Sequence, residues 1–274
     1  MQLTPWPQGF YIFDSTEKPV SGDVMFPFAW DEAVCRRVGE GANPIVHIWR
    51  HPGALVVGLR DRRLPHAEQA MTSLREEGVQ TIVRNSGGAA VPLDLGVVNL
   101  SIVLPNPERN IHFRDDFTIM VDLIRDSLSP WTGEVADGEI GGAYCPGDYD
   151  LSIGGRKFCG IAQRRQTKAY VVQAFIVVEG SGEKRAASAR RFYDQAAGET
   201  GASGYPLVMP GSMASLQELA GVPSAEAFVG SVKRVLAAKS GIEADFALTG
   251  VTQAEVADMS ELLRQRYDKS STQK

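Results

Sequence analysis

The residues best suited to chemistry in this chain cluster around one cysteine. Gly141-Gly142-Ala143-Tyr144-Cys145-Pro146-Gly147-Asp148-Tyr149-Asp150-Leu151-Ser152 leads through a Gly154-Gly155 turn into Arg156-Lys157-Phe158-Cys159-Gly160-Ile161-Ala162-Gln163-Arg164-Arg165. A thiolate is both nucleophilic near neutral pH and a good leaving group, so Cys145 can hold an acyl group and release it to an amine. Lys157, brought back by the turn, can lower the thiol pKa or orient a carbonyl through its charge, and the sequence leaves both roles open. The ordinary fate of a lone thiol is packing, and that of a strand lysine is to sit in solvent and anchor no core. The glycines and proline around Cys145 argue for the chemical role.

A second stretch, Arg84-Asn85-Ser86-Gly87-Gly88-Ala89-Ala90-Val91-Pro92-Leu93-Asp94-Leu95-Gly96, lies between two predicted strands. Its glycines let backbone N–H groups approach a ligand with no Cβ in the way, although an isolated Ser-Gly-Gly is more often a plain strand connection. Cys159 is the rival nucleophile, because period-2 alternation puts it on the same face as Lys157. Cys35, within Ala33-Val34-Cys35 of a short predicted helix, reads as core. His47, His51, His66 and His112 show no HxxxH or HExxH spacing, so no metal site is expected, and a Cys-His pair with His51 stays open.

The elements that must carry these residues follow from periodicity. Residues 44–50 and 54–59 read as adjacent strands of a hairpin turning at His51-Pro52-Gly53. Ala67, Ala70, Met71 and Leu74 mark a helix that ends near Gly78, 80–84 and 97–104 read as strands, and 117–128 as a helix stopped by Pro130. Residues 149–153 and 157–163 flank the Gly154-Gly155 turn, and 169–178 forms a buried strand. Helices are predicted at 183–197, 214–220, 224–239 and 252–267, the last opened by the capping box Thr252-Gln-Ala-Glu255. Strands first and helices last predict an α+β fold, a mixed β-sheet with packed helices to one side. The predicted division is a catalytic domain over 1–240 and a C-terminal helical extension with a loose tail over 241–274.

Composition narrows the setting. Hydrophobic residues at 43% and charged residues at 22% predict an ordinary soluble globular domain. No apolar run approaches the ~20 residues of a membrane helix, and the N-terminus lacks a signal-peptide pattern. A net charge of −5 without a long basic run gives no footprint for nucleic acid. Three cysteines without CxxC spacing speak for free thiols in a reducing compartment, so the expected location is cytoplasmic.

The two stretches together carry a resemblance. The first is similar to the Arg-Arg-x-Gly-Gly-Gly-x-Val-x-His-Asp-x-Gly signature of lipoate-protein ligases, in which the loop lies along the acyl tail and activated carbonyl. Leu93 stands in place of its His and Asn85 in place of its second Arg, which argues against adenylate chemistry. Cys-Pro-Gly-x-Tyr-Asp-Leu-Ser with Lys-Phe-x-Gly-Ile-x-Gln-Arg-Arg resembles the lipoyl amidotransferases, octanoyl-[glycine cleavage H protein]:protein octanoyltransferases of the lipoate/biotin protein ligase superfamily, over roughly residues 30 to 220.

The resemblance implies a catalytic domain of the biotin and lipoate ligase type. It also implies transfer of octanoyl from the lysine of octanoylated H protein, through a Cys145 thioester, to the lysine of apo lipoyl domains of 2-oxoacid dehydrogenases, with no cofactor. Cys145 and Lys157 would be catalytic. Arg84, Asn85, Ser86, Gly87, Gly88, Asp94 and Gly160 would bind substrate, with Gly87 and Gly88 donating near the oxyanion, Asp94 bracing the loop and Arg84 lining the site. Cys159 occupies a position where the family holds a small residue, which implies packing. The competing readings are an octanoyl-[acyl carrier protein]-dependent transferase, an ATP-dependent lipoate-protein ligase, and a non-catalytic protein that only holds lipoyl carriers.

Overall fold

The computed structural model of the chain describes residues 6–17, 22–108, 114–198 and 204–268. The chain runs β1 (Tyr11–Asp14), α1 (Met25–Gly39), β2 (Ile45–Trp49), β3 (Gly53–Val57), α2 (Ala67–Glu76), β4 (Gln80–Val83), β5 (Val91–Asp94), β6 (Val97–Pro105), α3 (Arg114–Leu128), β7 (Ala136–Asp137), β8 (Leu151–Ile153), β9 (Arg156–Arg165), β10 (Ala169–Val177), α4 (Gly182–Ala197), α5 (Leu216–Ala220), α6 (Ala225–Ala238), β11 (Ile242–Ala244) and α7 (Gln253–Leu263).

Among the described residues the strands form a mixed eight-stranded sheet, in the order β11-β1-β2-β6-β10-β9-β8-β7, and a smaller sheet, β4-β3-β5. The α+β class with a mixed sheet and packed helices is therefore the observed one. The helices do not sit on one side, however. Valines and isoleucines of β6 and β10 alternate between two cores. One face packs against α1, α2, α4, α7 and the smaller sheet, the other against α3 and α6. A central strand that is buried at all but its last position needs cover on both faces, and β6 is such a strand.

The expected hairpin at His51-Pro52-Gly53 is not one. β2 pairs with β1 and β6, whereas β3 pairs with β4 and β5, so the chain leaves one sheet there and enters the other. His51 secures the crossing: its ring lies 3.3 Å from the Gly22 carbonyl and accepts the Gly53 N–H at 3.2 Å. Pro92 sits in β5, which among the described residues pairs with β3 alone, an edge position where a missing N–H is tolerated.

The C-terminal segment is joined to the same layers. β11 extends the large sheet parallel to β1, and α7 lies on α1 with an Arg37–Glu255 ion pair. Asp268 accepts the Val83 N–H at 2.7 Å, fixing the end of β4, from which Arg84 follows. Residues 270–274, read as a loose tail, lie outside the described residues. No helix among the described residues is long and apolar enough to cross a membrane.

Candidate active site

β4 delivers Arg84: its N–H donates to the Val57 carbonyl at 3.0 Å, prolonging the ladder by one residue. The guanidinium is buried, and its Nη2 donates to the Ala89 carbonyl at 2.5 Å and to Cys145 Sγ at 3.1 Å. The Ala89 N–H donates to the same sulfur at 3.2 Å. Two N–H donors, one of them charged, thus converge on Cys145 and would stabilise negative charge there. The glycine loop is propped from behind. Asp61 accepts the Gly58 N–H at 3.1 Å, Tyr193 Oη accepts the Ala90 N–H at 3.0 Å, and Tyr193 also bonds Asp61, whose carboxyl burial pushes up.

Gly88 has φ of +95°, and a Cβ there would lie 2.2 Å from Arg84 Nη2 and 2.9 Å from Cys145 Sγ. Neither the backbone nor the space admits a side chain. Gly88→Ala is therefore expected to lower acyl transfer about a hundredfold, the usual cost of displacing reacting groups by an ångström, as measured by acylation of an acceptor protein.

The cysteine itself sits at φ of +49°, left-handed backbone that non-glycine residues adopt at a cost. Lys157 holds it there. Its Nζ donates to the Tyr144 carbonyl at 3.0 Å and the Cys145 carbonyl at 2.6 Å, and pairs with Asp150 Oδ2 at 2.7 Å. An ammonium has three protons, and these three partners take them all, leaving none for the sulfur. Lys157 is fully buried, unlike the ordinary solvated strand lysine, because Asp150 neutralises it and two carbonyls solvate it. Asp150 in turn accepts the Gly147 N–H at 3.1 Å, clamping the far side of the loop.

Burial pushes the Asp150 carboxyl up to about 6 against the opposing pull of Lys157. Protonation on the acid side would release Lys157 and slacken the Cys145 loop. Transfer is thus expected to decline as pH falls through about 6, and the decline should vanish in Asp150→Asn, which starts from a lower rate. A pH–rate profile of both proteins checks this.

The alternation that made Cys159 a rival nucleophile is broken by a β-bulge. Leu151 pairs with Cys159 but Ser152 with Lys157, so Phe158 is an extra residue in β9. Phe158 and Cys159 both face the second core, and Lys157 is re-aimed to the first, a use of bulges common beside functional sites. The Gly154-Gly155 turn predicted from sequence is present, both glycines with positive φ.

From Cys145 a largely apolar slot runs between the sheets, about 440 Å³ counting its open mouth. Its floor is a row of neighbours across four strands, Gly160, Phe175, Asn99 and Trp49, beside a second row of Ala162, Gln173 and Ser101. Its roof is Val56, Val91 and Leu93 from the smaller sheet. Gly160 is required to be small: a Cβ would lie 2.5 Å from the Phe175 ring and 3.2 Å from Lys157 Nζ.

Cys145, Lys157, Arg84, Gly88 and Gly160 are thus brought together. Ser86 and Gly87 line a separate hollow together with Gly88, Ala89 and Pro146, and the Gly87 N–H is directed to the Gln163 carbonyl at 3.4 Å, so the donor at the sulfur is Ala89. Asn85 and Asp94 stand apart. Asn85 donates to Glu32 at 2.9 Å, alongside two bonds from Arg164 to the same carboxylate. Asp94 receives two bonds from Arg185 of α4 and the Gly96 N–H, so it braces the β5–β6 turn and not the glycine loop. His51 is held at the sheet crossing, and His112 lies outside the described residues. Asp150, Ala89, Asp61 and Tyr193 were not singled out from sequence. Asp150 and Ala89 lie within the two quoted motifs and so left a local signal there, whereas Asp61 and Tyr193 left none.

Comparison with known proteins agrees with this geometry. The octanoyl-[GcvH]:protein N-octanoyltransferase of Anoxybacillus flavithermus is 43% identical over 214 residues, 77% of this chain and 77% of that protein. The protein of the same name from Geobacillus kaustophilus is 44% identical over 201 residues, 73% and 71% of the two chains. Among solved structures, lipoate-protein ligase A bound with ATP is similar in fold with a TM-score of 0.68 and 20% identity, covering 97% of both chains. The bipartite lipoate protein ligase of Thermoplasma acidophilum gives 0.66 and 19%, covering 97% of this chain and 95% of that one. Residues 23–240 match the lipoyl protein ligase A/B catalytic domain, and the chain belongs to that family.

Proposed function

We propose that this protein is an N-octanoyltransferase that moves octanoyl from the lysine of octanoylated glycine cleavage H protein, through a thioester on Cys145, to the lysine of lipoyl domains of 2-oxoacid dehydrogenase complexes. The observation that carries the reading is one sulfur under two N–H donors at the mouth of an apolar slot. The names of the relatives support the donor and the transferred group. The apolar roof contributed by Leu93, where the ligase signature has His, supports transfer over adenylate formation. Free thiols at Cys35, Cys145 and Cys159 support a cytoplasmic location.

In the first step the Cys145 sulfur attacks the donor amide carbonyl. The C–N bond breaks, the thiol proton leaves with the lysine amine, and a thioester remains. In the second, the acceptor lysine amine attacks that thioester, the C–S bond breaks, and the displaced proton returns to Cys145. Arg84 and the Ala89 N–H meet the charge on sulfur before attack and after release. Lys157 and Asp150 hold the loop so that the sulfur keeps its place; they are positioning residues.

Donor and acceptor are both lysine amides, so the equilibrium constant should lie within about tenfold of one, ~1.4 kcal/mol. Incubating octanoylated H protein with an apo lipoyl domain, in the absence of nucleotide, should shift the acceptor mass. Isotopic label placed on the lipoyl domain should travel back to apo H protein. Strict ATP dependence would return the ligase reading to first place.

A further inference from the structure

The open edge of β4 is covered by residues that follow α7. Among the described residues β4 pairs with β3 alone, and Arg84, just past its end, turns its N–H in to the Val57 carbonyl. Backbone alternation therefore turns the Val83 N–H outward, where no strand lies beside it. Val83 is fully buried, so that N–H needs a partner other than bulk water. Asp268 supplies one, its Oδ1 accepting the bond at 2.7 Å.

Asp268 is itself held on several sides. Past α7 the chain widens into a π-type turn, Arg264–Asp268, whose Tyr267 packs on the first core. Arg264 Nη1 pairs with Asp268 Oδ2 at 3.3 Å, while its Nη2 pairs with Asp23 at 2.5 Å, and Asp23 accepts the Met25 N–H where α1 begins. Arg62, next in sequence to the Asp61 that props the glycine loop, donates to the Asp268 carbonyl at 3.0 Å. These anchors converge on one strand end, and the residue that follows it is Arg84, whose Nη2 meets the Cys145 sulfur. We propose that Asp268 is a positioning residue of the Cys145 site: by fixing the end of β4 it keeps the Arg84 guanidinium on the sulfur, so that transfer depends on a turn outside the 23–240 catalytic-domain match. This rests on the reading of Cys145 as the acyl-bearing thiol. Without the Asp268 carboxylate the strand end is free to slide, and the sulfur loses its charged donor while the Lys157 clamp on the other side stays in place.

The test uses the full chain. Asp268→Ala removes the acceptor for the Val83 N–H, whereas Asp268→Asn keeps a side-chain oxygen that can take the same bond. After thermal melting shows that both are folded, they are assayed for transfer and for the pH at which iodoacetamide half-maximally alkylates Cys145, read by peptide mapping. Asp268→Ala is expected to raise that pH by about one unit, the scale of a weakened charge-assisted hydrogen bond. It should also lower kcat about tenfold, with KM for octanoylated H protein little changed. Asp268→Asn should restore most of both. In an Arg84→Met background, Asp268→Ala should add no further shift in the alkylation pH. An alkylation pH unmoved by Asp268→Ala, with or without lost stability, would make Asp268 a structural residue only and overturn the proposal. A shift that persists undiminished without Arg84 would overturn it as well. Alkylation shifts as expected, in a protein whose unsubstituted form transfers no octanoyl, would uphold the positioning and overturn the acyl-transfer reading instead.

Discussion

Cys145→Ala is expected to lower octanoyl transfer by about a thousandfold or more, as removal of a covalent nucleophile does, while Cys35→Ala and Cys159→Ala keep most of the activity. The three thiols differ in setting. Cys35 lies under α1, where burial together with Glu32 and Asp31 pushes it up to about 12, far from a usable thiolate. Cys159 is in the second core, raised well above the usual thiol range by burial and by Asp150. Cys145 is the one that meets two N–H donors and opens on the slot. Rates of acceptor acylation for the three variants check this, and full activity in Cys145→Ala would remove the covalent mechanism.

The second large effect concerns the buried ion pair. Lys157→Ala takes from buried Asp150 its cationic partner, a change that costs about 3–5 kcal/mol in comparable sites, so both stability and transfer should be lost. Removing both charges separates the two. Lys157→Met with Asp150→Leu should recover most of the stability, since a buried pair is often replaceable by packed apolar groups, yet remain slow because nothing then holds the Tyr144 and Cys145 carbonyls. Urea unfolding and transfer rates on the single and double variants measure both terms. A double variant that transfers at the original rate would show that the pair serves folding alone.

Much of this was legible in the sequence, and what was missed has physical reasons. The cysteine motif, the glycine loop and the Gly154-Gly155 turn are local, and short-range chemistry predicts them. The role of Lys157 was not, because period-2 alternation cannot reveal an inserted residue such as Phe158, and that bulge decides which of Lys157 and Cys159 faces the site. The separation of β2 from β3 was hidden because a Pro-Gly turn looks the same whether the next strand pairs back or crosses to another sheet. α1 was underestimated since Asp31 and Glu32 interrupt its apolar face. Both are buried, one receiving bonds from the slot floor and the other from Asn85 and Arg164, partners far away in sequence. Asn85 and Asp94 were assigned by their place in a motif, but their partners, Glu32 and Arg185, came from helices the motif does not contain.

The central claim is that the acyl group resides on one sulfur between donor and acceptor. The thioester lies above either amide in energy, so an amide donor alone should show little of it, and a reactive octanoyl thioester is the donor to use. After brief exposure to that donor, without nucleotide or acceptor, intact mass and peptide mapping should place one octanoyl group on Cys145, and an apo lipoyl domain added next should discharge it. Octanoyl found on Cys159, or an adduct on Cys145 that the lipoyl domain cannot discharge, would contradict the account.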